Sequence, residues 1–151
     1  MKQRIAAAIG KTHDTTVDVY ELENATGGSI NEAAVARTSL GSYFVKWNYS
    51  PIPDQFDREA EGLDALRTSG TPLRIPRPIA WDQGDSVEPG FLVLEYLERG
   101  RPVSDFDERL GRGLALMHQA TAPQFGFAHD NYCGTTTQPN PLIGSPSAFI
   151  D

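Results

Sequence analysis

Three strand-like segments follow one another between residues 15 and 48, separated only by short stretches of turn-forming residues. "TTVDVYELE" places Val17 and Val19 between polar residues, "AAVARTS" is a weaker extended run, and "SYFVKWN" is rich in aromatic and β-branched residues. Connections this short join antiparallel neighbours. The sequence therefore predicts a three-stranded antiparallel meander, with the glycine-containing stretch 25–35 as its first connection and "SLG" at 39–41 as its second.

Helices are predicted on both sides of this meander and further along the chain. "QRIAAAI" consists of strong helix formers, and Gly10 is expected to end that helix. "DQFDREAEGLDALRTSG" predicts a second helix with Asp54 as its N-cap and Gly70 as its stop, and "SDFDERLGRGLALMHQAT" predicts a third that Ser104 caps. Residues 145–150 are typical of the first turn of another helix.

The second helix carries a predicted buried stripe and a carboxylate at its margin. Phe56, Leu63 and Leu66 recur at spacings of seven and three residues, which places them on one face. Glu59 lies three residues after Phe56 and therefore projects from the edge of this face. A charge beside a buried surface requires a partner or water, because an unpaired buried charge is strongly disfavoured.

After this helix the sequence changes from a proline-rich stretch to an apolar strand and then to a polar stretch. "RIPRPIAWDQ" is a proline-rich approach to a strand, "GFLVLEYLE" is an apolar strand, and "RGRPVSD" is polar, which makes it the expected boundary between two lobes. We expect an amino-terminal lobe at 1–97, and at 98–151 a hinge with the start of a second lobe. The glycine- and proline-rich stretch after the third helix is expected to be a long loop.

The composition of the chain limits the kinds of partner that it is expected to bind. Its 151 residues include 13 basic and 20 acidic side chains, and the net charge of −7 opposes attraction to nucleic acid or to an anionic membrane. Cys133 is the single cysteine and cannot form an internal disulfide, and the first residues lack a signal-peptide pattern, so we expect a cytoplasmic protein. "HDNYC" lacks the ligand spacing of a zinc site; Asp130 and Asn131 are expected to brace their loop through backbone hydrogen bonds.

Four features stand in a suggestive order: the glycine loop, Lys46 in the third strand, Glu59 on the next helix, and the strand that ends in "LEYLE". In phosphoryl transfer the protein mainly positions a nucleotide and neutralises its charge, so a lysine must reach the phosphates and a carboxylate must hold that lysine. Singly, each feature has a plainer interpretation: a hairpin turn, an edge-strand lysine and a solvated glutamate. Together they favour a nucleotide site.

The chain resembles the fructosamine (ketosamine) kinase family, a branch of the protein-kinase-like fold that also includes aminoglycoside and choline kinases. The resemblance covers nearly the whole chain, and "FGFAHDNYCGTTTQPN" at 125–140 is its most specific segment. It implies an α+β fold: an amino-terminal lobe with an antiparallel sheet and one packed helix, a hinge at 95–100, and the start of a helical carboxyl-terminal lobe. It also implies ATP-dependent phosphorylation of the C3 hydroxyl of ketosamines, which repairs glycated amines.

The resemblance assigns roles to individual positions. Lys46 would contact the α and β phosphates of ATP, with Glu59 paired to it. Glu95 and Leu97 would offer backbone C=O and N–H to the adenine edge, with Leu94 behind the ring. The cover over the phosphates would consist of Gly27, Gly28, Ser29 and Asn31. Ser29 stands where some relatives carry a redox-sensitive cysteine, so no such switch is expected.

The catalytic part of the family pattern is missing from these residues. None of the three histidines precedes Gly-Asp, so neither the base aspartate nor the magnesium ligands of the family are found here. We therefore expect no catalytic residue and no metal ligand in this chain, and no turnover by the 151 residues alone; they are interpreted as the front part of a longer protein. The alternatives are an aminoglycoside- or choline-type kinase, or a non-enzymatic nucleotide-binding or dimerising fragment. Acceptor and oligomeric state stay open.

Overall fold

A computed structural model describes residues 1–25 and 31–145 of the chain. The elements are α1 (Lys2–His13), β1 (Val19–Asn24), β2 (Glu32–Thr38), β3 (Gly41–Asn48), α2 (Gln55–Arg67), β4 (Pro78–Asp82), β5 (Gly90–Glu95), α3 (Phe106–His118), β6 (Asn131–Cys133) and β7 (Thr136–Gln138). Five strands form one antiparallel sheet in the order β1-β2-β3-β5-β4, and two short strands form a separate hairpin, β6–β7. The predicted meander and the α+β class are confirmed.

The two faces of the sheet pack against different helices. Side chains alternate along a strand, so Tyr43, Val45 and Trp47 of β3 lie in the core on the α1 side. The opposite face carries Phe44, which joins Leu92 and Leu94 of β5 in a smaller cluster with α2. Lys46 shares the α2 face with Phe44. The larger core thus stabilises the sheet from one side, and the other side is left for α2 and a cleft.

The first helix runs past its predicted end. Gly10 lies inside α1, which continues to His13 and ends at Asp14 in the left-handed conformation, φ 50°. A Cβ added to Gly10 would lie 2.5 Å from the carbonyl oxygen of Thr15. Because it has no Cβ, Gly10 leaves room for the chain that turns back at Thr15 after the helix. The prediction that Gly10 ends the helix is wrong.

The predicted N-cap of α2 is confirmed, whereas its predicted end and part of its predicted stripe are wrong. Asp54 does occupy the N-cap position, but its φ is 58° and its side chain makes no capping hydrogen bond. The helix ends at Arg67, before Gly70, and Thr68 is its C-cap residue, with its hydroxyl bonded to the carbonyl oxygens of Asp64 and Ala65. Phe56 and Ala60 are buried on the sheet side and Leu63 packs against their cluster, as predicted for Phe56 and Leu63, whereas Leu66 is 40% exposed. The apolar stripe therefore extends from Phe56 to Leu63 and does not include Leu66.

The predicted third helix exists, but Asp105, not Ser104, occupies its N-cap position, again without a side-chain capping bond. The stretch predicted as one long loop contains the β6–β7 hairpin, and an isolated bridge between Phe125 and Ile143 closes its base. Hairpin strands of three residues are too short to give a periodic signal, which explains why the sequence did not predict these strands. The predicted helical turn at 146–150 lies outside the described residues.

In the part of the chain that the structure describes, no helix is long and apolar enough to cross a membrane.

The packing of α1 predicts a large effect of truncating its buried face. Ile9 is fully buried in the larger core, so Ile9→Ala should lower the free energy of unfolding by about 2–5 kcal/mol, since it removes apolar contacts and leaves a cavity. Chemical denaturation measures this. Val87 is 83% exposed, and Val87→Ala should change the same quantity by less than about 0.5 kcal/mol. Equal effects of the two substitutions would contradict the assignment of the core.

Candidate functional site

Lys46 and Glu59 form a two-pronged ion pair between the sheet and α2. The ammonium nitrogen of Lys46 lies 2.9 Å from Oε1 and 2.6 Å from Oε2 of Glu59. The two side chains are 19% and 31% exposed, so the pair is partly shielded from water. Removing one partner would leave the other charge without compensation in a poorly solvated place, which is costly. The pair therefore holds a cation at a defined position on the open face of the sheet.

An apolar slot of about 360 Å³ lies at the end of β5, on the same face of the sheet. Its walls include Leu94, Leu97 and Phe44, together with Pro76. Sequence reasoning had not assigned Phe44 or Pro76 to the site. The alternation along β3 was the available signal for Phe44, because it puts this ring on the face of Lys46; Pro76 comes from a loop that carries no such signal.

The backbone at this slot offers hydrogen-bonding groups. The N–H of Glu95 is already used, since it donates to the carbonyl oxygen of Arg77 at 2.8 Å. Among the described residues, no backbone carbonyl accepts a hydrogen bond from the N–H of Leu97. A flat apolar ring with polar edges would find apolar walls and a free backbone donor here, which is the usual composition of a small-molecule site.

Hydrogen bonds from two arginine residues stabilise the ionised form of the Glu95 side chain. Its Oε1 accepts a hydrogen bond from Nη2 of Arg74 at 2.7 Å, and its Oε2 lies 3.4 Å from the backbone nitrogen of Arg77. The Arg74 hydrogen bond is the main reason that the pKa of Glu95 lies below its ordinary value, and the Arg77 amide adds to it. Glu95 therefore stays ionised, with its carboxylate directed to the arginines.

A second cavity, of about 390 Å³, adjoins the Lys46–Glu59 pair. Asn31, Gln55 and Asn131 line it, and each has a buried side-chain oxygen without a hydrogen-bond partner among the described residues. Asn31 was predicted to cover phosphates, and it lines the same cavity as Lys46. Asp130 braces its loop as predicted, since it accepts from the backbone of Asn140. The same prediction for Asn131 is wrong, because its oxygen makes no such bond.

The remaining predicted cover residues, Gly27, Gly28 and Ser29, lie outside the described residues. The strands that flank them are described. The N–H of Ala25 donates to the carbonyl oxygen of Ala33 at 2.9 Å, and Ala33 is paired directly with Lys46 across β2 and β3. Ala25, the last described residue before them, is therefore hydrogen-bonded to the β2 residue that pairs with Lys46.

Other parts of the described chain contain no comparable arrangement. No group of three or more His, Cys, Asp or Glu residues there lies close enough to hold a metal ion. His13 is within 3.2 Å of the Tyr43 hydroxyl and His129 within 3.0 Å of Glu61, so both have structural partners. Cys133 is exposed. A larger open groove of about 520 Å³ lies between α1 and β1, and none of the predicted site residues lines it.

The architecture and this site define a class of protein. A five-stranded antiparallel sheet, a helix whose glutamate holds a strand lysine, and a slot where the last buried strand leaves the sheet constitute the amino-terminal lobe of a protein-kinase-like fold. The sequence profile of the family described as "Fructosamine kinase" matches residues 1–150. The chain belongs to the fructosamine kinase family.

Similar proteins carry related names. A "probable ketoamine kinase" of Synechocystis is 39% identical over 149 residues, which are 98% of this chain and 50% of that protein. A chloroplastic "protein-ribulosamine 3-kinase" of Arabidopsis thaliana is 36% identical over 132 residues, 85% of this chain and 39% of that protein. The chain therefore spans about half the length, or less, of these curated relatives.

Two solved structures have the same fold. A Haemophilus somnus protein assigned as a fructosamine-3-kinase superimposes with a TM-score of 0.82 at 22% identity, covering 97% of this chain and 49% of that one. A Thermobifida fusca protein with the same assignment gives 0.76 at 25% identity, covering 96% and 47%. At 22% identity the Haemophilus structure is evidence for the fold alone.

The environment of Glu95 predicts its titration. Its folded-state pKa should lie below the ordinary glutamate value, and Arg74→Ala should move it upward, because the substitution removes the main hydrogen bond to the carboxylate. Carbon-detected NMR of the glutamate side chains measures both values. A lowered pKa contributes stability above the unfolded-state pKa, and this contribution disappears as the pH falls through the folded-state value. An identical Glu95 pKa in both proteins would contradict the assigned cause.

Proposed function

We propose that the full-length protein containing this chain phosphorylates ketosamines with ATP, and that this chain supplies the nucleotide-binding lobe. The observation that carries the proposal is the Lys46–Glu59 ion pair on the same sheet face as the apolar slot. A cation fixed beside a slot for a flat ring is the arrangement that a nucleotide triphosphate requires. The names of the relatives support the ketosamine as acceptor.

We assign the nucleotide contacts to specific groups. The adenine ring would occupy the slot between Phe44 and Leu94, with its edge on the C=O of Glu95 and the N–H of Leu97. The ammonium group of Lys46 would neutralise the α and β phosphates, and Glu59 keeps that group in place. The backbone of the β1–β2 connection, with Gly27, Gly28, Ser29 and Asn31, would cover the phosphates.

ATP supplies the phosphoryl group, and the chain's own contribution is orientation and charge. Because Glu59 already fixes Lys46, the cation needs no large rearrangement when phosphates arrive, and such pre-organisation is the main protein contribution in phosphoryl transfer. The kinase family also implies a divalent metal. The described residues offer no ligand cluster for it, so we place the Mg²⁺ ligands and the base for the acceptor hydroxyl in the part of the protein outside this chain.

We divide the chain into a lobe at 1–97 and a second part at 98–151. The division is supported by the end of β5 at Glu95 and the start of α3 at Phe106, with neither helix nor strand between them. This stretch would be the hinge.

Phosphorylation of ketosamines implies repair of glycated amines. An exposed, single Cys133 is compatible with a reducing compartment such as the cytoplasm, although the plant relative is named as chloroplastic.

The phosphate contact is tested by substitution in the full-length protein. Lys46→Met should abolish fructosamine-dependent ATP turnover, because it removes the cation, and Glu59→Gln should be less severe, because an amide still accepts a hydrogen bond from Lys46. Turnover is measured by coupled release of ADP. Lys11 is exposed on α1, and Lys11→Met should leave turnover unchanged. Full turnover in the Lys46 variant would refute the assignment.

The acceptor class is tested with a substrate panel. A fructosyl-lysine should be phosphorylated, whereas an aminoglycoside and choline should not, since the chain matches the fructosamine kinase family throughout residues 1–150. Mass spectrometry of the products distinguishes phosphorylated acceptor from background ATP hydrolysis. Preferential phosphorylation of the aminoglycoside or of choline would move the protein to a different kinase class without changing the proposed nucleotide lobe.

A further inference from the structure

We propose that the β6–β7 hairpin is a clamp that sets the position of α2, and that Tyr132 acts as a positioning residue for the Lys46–Glu59 pair. The role of this clamp in catalysis rests on the proposed function, whereas the contacts between the hairpin and α2 do not depend on it. The hairpin follows α3 in the chain, yet it packs on α2 of the preceding lobe.

Two side chains of this segment reach α2 on either side of Glu59. The hydroxyl of Tyr132 donates to the carbonyl oxygen of Pro53 at 3.0 Å, just before the helix begins. Nδ1 of His129 lies 3.0 Å from Oε1 of Glu61, two residues beyond Glu59. The two contacts therefore bracket the first two turns of α2, the part of the helix that carries the carboxylate of the ion pair.

The start of α2 needs support from outside the helix. Its N-cap residue, Asp54, has a positive φ and makes no side-chain capping bond, so the usual stabilisation of a first turn is missing. On the sheet side, the carboxylate of Asp57 accepts hydrogen bonds from the Trp81 indole and from the amide of Gln83 at 2.7 Å. The hairpin adds one attachment just before the helix, at the carbonyl oxygen of Pro53, and a second at Glu61, so the first two turns of α2 are held by both the sheet and the hairpin.

The segment that makes these contacts is itself held in shape. The backbone N–H of Asn140 donates to Oδ1 of Asp130 at 2.8 Å, and its side-chain nitrogen donates to the carbonyl oxygen of His129 at 3.2 Å. The bridge between Phe125 and Ile143 closes the base. A braced segment transmits its position to α2, whereas an unbraced loop would follow the helix.

The hairpin also reaches the ion pair's own cavity. Asn131, Tyr132 and Gly134 line the same 390 Å³ space as Lys46 and Glu59. The His129–Glu61 pair is exposed, with the His129 side chain 56% accessible, and such pairs contribute little on their own. The Tyr132 hydrogen bond and the cavity wall are therefore the stronger half of the clamp, which makes Tyr132 the residue to test.

The test uses the full-length protein and a fluorescent ATP analogue. Tyr132→Phe should weaken the analogue's Kd about two- to tenfold, the change expected from one net hydrogen bond, and His129→Ala should weaken it less. Hydrogen exchange of the backbone amides at 55–67 should become faster in the Tyr132 variant. Tyr49 is 66% exposed, so Tyr49→Phe is the matched control and should change neither measurement.

A double substitution separates positioning from a general structural role. If Tyr132 acts through the ion pair, Tyr132→Phe should have no further effect on the analogue's Kd in a Glu59→Gln background, whereas independent effects would add. Additive effects, or an unchanged Kd and unchanged exchange in Tyr132→Phe, would overturn the clamp and leave the proposed function intact. Failure of the unsubstituted protein to bind the analogue would instead refute the proposed function, and the exchange of 55–67 would still decide for or against the clamp.

Discussion

The ion pair between Lys46 and Glu59 is the interaction on which the rest of the site depends. It joins a strand of the sheet to the helix packed on it, and its geometry requires both elements to be correctly placed. A bidentate pair at 2.6 and 2.9 Å tolerates little displacement of α2. Partial burial makes the pair expensive to break, since either charge alone would be poorly solvated.

The sheet can serve both stability and binding because its faces are divided between the two tasks. The large core with α1 uses Tyr43, Val45 and Trp47 of β3, which leaves Phe44 and Lys46 free to line the opposite side. Because strand side chains alternate, neighbouring residues in one strand meet different demands. A rigid core beneath the site reduces the reorganisation that a charged ligand would otherwise cause.

The second helix is positioned by parts of the chain that are distant in sequence. Its sheet side is held by Phe56 and Ala60 in the smaller cluster and by Asp57 through Trp81 and Gln83. The hairpin that follows α3 adds contacts to Pro53, just before the helix, and to Glu61. Since the helix lacks a side-chain cap of its own, these tertiary contacts decide where its first turns lie, and with them the carboxylate of Glu59.

Local patterns were sufficient for the meander, the three helices and the shared face of Phe44 and Lys46, because alternation and helical spacing depend only on neighbouring residues. Helix ends could not be obtained in this way: Gly10 lies within α1, where the missing Cβ leaves room for the carbonyl oxygen of Thr15, a contact that composition does not show. The three-residue strands of the hairpin are too short to leave a pattern. The sequence by itself determined which residues could come into contact. Only the tertiary structure decided that Lys46 pairs with Glu59 and that Tyr132 reaches Pro53, because these contacts depend on how distant segments of the chain pack together.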